Sequence, residues 1–177
     1  MYIGNTNMDY IDVSNSYFKR GFIYMNAKEN VFGGCYIRHS NFVNNTSECG
    51  TILNLNYLNP ATSVLKYIYM TNSTFTNNTA SKFGGVIYSL GQYNNDRISI
   101  VDCTFNNNHA ESGNIIYAHS KKNLSFIVNK NSNDVSTIPE YFKKVGNKGE
   151  GISILSGESI PEGIKCKFNK LWKYNYI

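Results

Sequence analysis

The chain has 177 residues, of which 41% are hydrophobic and 16% charged, with a formal net charge of +5. That length allows one ordinary domain with its own core, and no apolar run approaches the ~18 residues of a membrane-spanning helix. Residues 1–120 hold seven Lys+Arg against seven Asp+Glu, and residues 121–177 hold ten against five, so the positive charge belongs to the tail. With Arg scarce and the tail lysines scattered, no basic stripe is formed and no nucleic-acid partner is expected.

The start, Met1-Tyr2-Ile3-Gly4-Asn5-Thr6-Asn7, has neither a charged-then-apolar leader pattern nor an amphipathic capping helix. It reads as the middle of a repeating unit, which predicts that the chain is a fragment of a longer protein with no signal peptide of its own. A worn first copy of that unit fits Val13, Ser16 and Phe18, with Lys19-Arg20-Gly21 in place of a turn pair.

Three clear copies follow. Ser40-Asn41-Phe42-Val43-Asn44-Asn45, Ser73-Thr74-Phe75-Thr76-Asn77-Asn78 and Cys103-Thr104-Phe105-Asn106-Asn107-Asn108 repeat one phrase, with the phenylalanines 33 and 30 positions apart. Each leads into a small-residue pair and an apolar run: Cys49-Gly50-Thr51-Ile52-Leu53, Gly84-Gly85-Val86-Ile87-Tyr88 and Gly113-Asn114-Ile115-Ile116-Tyr117. A period of this size marks a stacked repeat. Two strand-like runs per copy are expected, for instance Tyr67–Met70 and Gly85–Tyr88, because β-branched and aromatic residues dominate them. The Asn pairs tolerate left-handed backbone angles, and Gly84-Gly85 supplies positive φ. Helical spacing is absent before position 120.

These signals predict an all-β fold, a parallel β-helix forming a short solenoid of about four coils, with a small C-terminal β segment. An antiparallel sandwich is the competing architecture. The inserts Asn54 to Ser63 and Leu90 to Asp96 disfavour it, because they lengthen one side of a coil without disturbing the frame. Stacking would place Phe42, Phe75 and Phe105 in one internal column, with Phe75 flanked on both sides. Asn45, Asn78 and Asn108 would form an amide ladder, and Gly84, Gly85 and Gly113 would turn the chain. An uncapped first coil leaves an open strand edge, so end-to-end self-association is expected.

The repeats are assigned to residues 1–128. A polar linker follows at 129–150, and 151–177 reads as a partial β module or a capping hairpin, with strands at Ile152–Leu155 and Ile164–Phe168. Of four cysteines, none has C-x-x-C spacing, so zinc is not expected. Cys103 stands where the other copies have Ser and reads as a buried thiol; Cys35 and Cys49 could meet across neighbouring coils. Asn44, Asn45, Asn72, Asn77 and Asn123 lie in N-x-S/T sequons.

The copy at 73–88 resembles the paired F-x-x-N and G-G-A-I motifs of the polymorphic outer-membrane-protein repeat family, and similar repeats occur in adhesin-like surface proteins of archaea and protists. The resemblance spans roughly residues 30–120, with Asn114 replacing the second Gly in one copy and Cys49-Gly50-Thr51-Ile52 departing in another. It implies a right-handed parallel β-helix that is extracellular or on the cell surface, with a role in adhesion or in presenting a stalk; the surface ligand, protein or glycan, is not specified by the residues. It carries no catalytic residues.

An enzyme is not expected. Glycoside cleavage needs two facing carboxylates, and the candidates in the repeat region, Asp96, Asp102, Glu48 and Glu111, lie at scattered positions. His39, His109 and His119 stand alone, and no nucleophile elbow or phosphate loop is present. No metal, catalytic or cofactor residues are assigned. The reading is a non-enzymatic structural or adhesive surface protein. The alternatives are a fragment of a β-helical lyase or glycosidase, or of a receptor ectodomain.

Overall fold

The structure, a computed structural model, describes residues 2–3, 5–27, 31–58, 66–89, 98–120 and 153–156. These residues form strands and turns, with no helix among them. The first coil holds β1 (Tyr2–Ile3), β2 (Thr6–Asp9), β3 (Asp12–Ser14), β4 (Tyr17–Phe18) and β5 (Ile23–Ala27). The second holds β6 (Val31–Arg38), β7 (Asn41–Val43), β8 (Thr46–Cys49) and β9 (Leu53–Leu58). The third holds β10 (Lys66–Thr71), β11 (Thr74–Thr76), β12 (Thr79–Phe83) and β13 (Ile87–Ser89). The fourth holds β14 (Ile98–Val101), β15 (Thr104–Asn106) and β16 (Ile116–Ser120), and β17 (Ser153–Ser156) pairs in parallel with β16.

Every strand pair is parallel, and the strands stack into four sheets, β1/β2-β6-β10-β14, β3-β7-β11-β15, β4-β8-β12 and β5-β9-β13-β16-β17. This is a short parallel β-helix with four faces. It has four strands per complete coil where the sequence suggested two. The reason is length: Thr74-Phe75-Thr76 is a strand of three residues, too short to show a periodic pattern by itself.

Three corners turn each coil. All described residues with positive φ fall into three columns: Tyr10, His39, Asn72 and Asp102; Asn15, Asn44, Asn77 and Asn107; Gly21, Gly50, Gly84 and Gly113. The left-handed region is where Asn and Gly are least penalised. Gly84 has positive φ but Gly85 does not. Gly85 is needed for space, since a Cβ there would lie 2.1 Å from the Asn114 carbonyl oxygen.

Inside, equivalent residues stack. Phe42 pairs with Phe75 and Phe75 with Phe105 in register, with ring centroids 5.3 Å and 5.1 Å apart and nearly parallel planes. Phe22 closes the other side of Phe42 at 5.5 Å, edge on, so Phe42 is flanked as completely as Phe75. Around this column lie Ile37, Met70 and Ile100 and, across the core, Leu53, Ile87 and Ile116, all buried.

Beside the Phe column runs the amide ladder. Asn45 Nδ2 donates to Asn78 Oδ1 (3.0 Å), and Asn78 Nδ2 donates to Asn108 Oδ1 (3.1 Å). The second hydrogen of each amide goes back one coil, to the carbonyl of Val13, Phe42 or Phe75. Each Oδ1 also accepts a backbone N–H of the preceding coil, from Ser16, Asn45 or Asn78. A buried amide fully satisfied in this way links coils without leaving an unpaired polar atom. The Asn pair of each repeat therefore divides its work: the first residue turns the chain in solvent, and the second is buried in the ladder.

A second ladder uses hydroxyls. Ser40 and Ser73 donate to Arg38 and Thr71 carbonyls (2.7 and 2.8 Å), and their oxygens accept from Ile11 and Ser40 N–H. Cys103 continues the column with its sulfur 3.5 Å from the Val101 carbonyl.

The first coil is framed differently from the sequence reading. Val13, not Phe18, pairs with Phe42, and Phe18 pairs with Ser47. Ser16 is at the ladder position and Asn15 turns the second corner. An aromatic residue does not mark the frame here; the corners and backbone pairing set the register. The insert placed at Asn54 to Ser63 begins inside β9, which is paired on both sides through Leu55. The remainder of that insert, the one at Leu90 to Asp96, the linker at 129–150, the strand at Ile164–Phe168 and Asn123 lie outside the described residues.

Candidate binding surface

Because the interior is filled, side chains able to meet a partner lie on the outer faces and corners. The first face and corner carry aromatic and charged groups. Tyr36 stacks on Tyr69 (5.1 Å, 2° between planes). The Arg38 guanidinium lies 5.7 Å from the Tyr36 ring centroid and pairs with both carboxylate oxygens of Asp9 at 2.7 Å. That hydrogen bonding to Asp9 raises the Arg38 pKa further, although the group is solvent-exposed. Tyr10, 77% exposed, stacks on His39 at 4.8 Å.

The second face is polar and self-paired, with Asn41 bonded to Asp12 (2.7 Å) and Thr74 bonded to Asn41. The third face is different. Tyr17, Thr46 and Thr79 are in register, with His109 next in line. Two residues separate Thr46 from Cys49 and His109 from Ser112, but three separate Thr79 from Phe83, although Phe83 pairs with both Cys49 and Ser112. The extra residue makes a bulge in β12, a device that re-aims side chains and recurs beside functional sites. A concavity of about 450 Å³ opens there, lined by Tyr17, Thr46, Ser47, Glu48, Thr79 and Ser81. Lys82 forms an ion pair with Glu48 at its rim.

The candidate carboxylates do not face one another as a pair. Glu48 and Glu111 share a column of the third face two rungs apart, with Lys82 between them, by the pairing of Cys49, Phe83 and Ser112. Asp102 is at the first corner, and Asp96 lies outside the described residues.

Of the sequons, Asn44, Asn72 and Asn77 are exposed at corners. Asn45 is corrected: it is fully buried and both amide hydrogens are bonded, so a glycan there would destroy the ladder. The suggested Cys35–Cys49 pairing is corrected too. Cys35 is a free buried thiol on the first face, and Cys49 is disulfide-bonded on the third. Burial pushes the Cys35 thiol up to about 11 and the Cys103 thiol up to about 12. Both are thus neutral and unreactive at physiological pH.

Sequence reasoning missed the third-face group. Its one signal is the Thr that follows each of two Asn pairs, Thr46 and Thr79; the bulge and Tyr17 become visible only through register.

The fold and its columns define a β-helical repeat solenoid. Residues 72–90 match the Chlamydia polymorphic membrane protein repeat, a segment running from the first corner of the third coil through Phe75, Asn78, Gly84 and Gly85. No curated protein and no solved structure gives a significant match.

Proposed function

We propose that this chain is a non-enzymatic, surface-exposed β-helical segment that serves adhesion or presents binding surfaces. The carrying observation is the contrast between inside and outside. The interior columns keep Phe, Asn and Gly from coil to coil, while exposed columns are free to change, as the first corner does from Tyr10 to His39, Asn72 and Asp102. A scaffold of this kind spends its repeated residues on stacking and leaves its outer residues free for recognition. The match at 72–90 supports a surface setting. So does the disulfide at Cys49, since such bonds persist in oxidising compartments, where inert buried thiols at Cys35 and Cys103 would also survive.

The test is to label intact source cells with antibodies against residues 1–120 and to measure adhesion of beads coated with the chain. Labelling that is lost on mild surface proteolysis, together with bead adhesion, is the expected result. Labelling seen only after permeabilisation sinks the surface reading. Depolymerisation of polysaccharides by the purified chain would favour the lyase or glycosidase alternative instead.

A further inference from the structure

We propose that the third-face concavity is a binding site for a neutral saccharide. The inference rests on the surface reading above and names its ligand class. Four features converge. Tyr17 is 70% exposed, so its ring offers an open π face at one side of the concavity. Thr46, Thr79 and Ser81 contribute hydroxyls that have no hydrogen-bond partner among the described residues. The inward Ser47 hydroxyl on the same sheet, in contrast, is engaged with Thr51 at 3.2 Å. The bulge in the third coil alone brings Ser81 to this edge and turns Lys82 towards Glu48.

A pyranose ring has one apolar C–H face and a rim of hydroxyls. The C–H face suits a solvent-exposed tyrosine ring, and the rim suits unengaged hydroxyls that both donate and accept. Charge argues the same way. Among the described lining residues Glu48 is the one carboxylate, and it is paired with Lys82, so no uncommitted charge among them selects an ionic ligand. A peptide cannot add as a strand at β8 within the concavity, because β8 is hydrogen-bonded on both edges, to β4 and β12.

The test uses the full chain, titrated with cellohexaose, mannohexaose and an oligogalacturonate by saturation-transfer NMR and calorimetry. At least one neutral hexasaccharide should bind, with saturation transferred from tyrosine protons. Tyr17→Ala should weaken it about ten-fold, as loss of a stacking platform does, and Thr79→Val and Ser81→Ala should weaken it less. Tyr10→Ala, equally exposed but at the first corner, should leave affinity unchanged, with circular dichroism confirming the fold of each variant. Absence of binding to either neutral saccharide overturns the proposal, as does binding that survives Tyr17→Ala with Thr79→Val. Preference for the oligogalacturonate overturns the neutral class. Antibody labelling of intact source cells separates the two readings: labelled cells whose unaltered chain binds no neutral saccharide remove this site alone, whereas cells that are not labelled remove the surface reading.

Discussion

The first and second corners make the same backbone demand and answer it with different residues. At the second corner Asn15, Asn44, Asn77 and Asn107 have φ of 51–57°, or 52, 57, 55 and 51° in order. At the first corner Tyr10, His39, Asn72 and Asp102 have φ of 55, 51, 47 and 51°. Left-handed geometry therefore does not by itself enforce asparagine. What differs is the next residue inward. The second corner leads directly into Asn45, Asn78 and Asn108, whose eight coil-to-coil bonds lock position and phase. The first corner leads into the hydroxyl ladder of Ser40 and Ser73, which tolerates Cys103. Corner chemistry is free to vary where the adjoining ladder is the weaker one, and Tyr10 and His39 use that freedom to build an exposed stack.

The comparison can be broken most forcefully at the Phe column beside the second corner. Phe75→Ala should cost about 3–5 kcal/mol in chemical denaturation, as for other buried Phe truncations. Phe42→Ala should cost a similar amount, because Phe22 and Phe75 enclose it. A tolerated Phe75→Ala would remove the column as the organising element.

Next comes the ladder. Asn78→Ala removes the acceptor of the Asn45 N–H and of one Asn45 Nδ2 hydrogen, the amide donor to the Phe42 carbonyl, and one of the two donors to Asn108 Oδ1. A loss of roughly 2–4 kcal/mol is expected, since several buried polar groups lose their bonds at once. Ser73→Ala, its counterpart on the hydroxyl ladder, should cost less, about 1 kcal/mol. Equal losses would mean that the ladders do not explain the difference between corners.

The corner residues themselves give smaller effects. Asn77→Ala puts a Cβ residue without Asn's tolerance into the left-handed region and should cost about 1 kcal/mol. Tyr10→Asn sharpens the contrast from the other side. It relieves unfavourable backbone geometry but removes the stack on His39, so melting should shift upward only slightly, by less than about 1 kcal/mol of stability. A marked destabilisation by Tyr10→Asn would show that the aromatic stack is structural.

The sequence alone determined the repeat, its period, the Phe column, the Asn ladder and the glycine corner. These were legible because stacking places chemically identical demands on equivalent residues, so selection for packing writes the same letters at Phe42, Phe75 and Phe105. It also exposed Cys103 as a buried variant of a serine column. Tertiary structure decided what does not repeat. The first coil could be framed only by pairing, since Val13 occupies a Phe position without looking like one. The first corner column was hidden because Tyr, His, Asn and Asp share a backbone angle and no side-chain chemistry. The third-face concavity depends on one additional residue in one coil and on a tyrosine from another, so its parts come together only when the coils are stacked. Packing repeats and is readable along the chain; a recognition surface is assembled across it, from residues that need share nothing but their register.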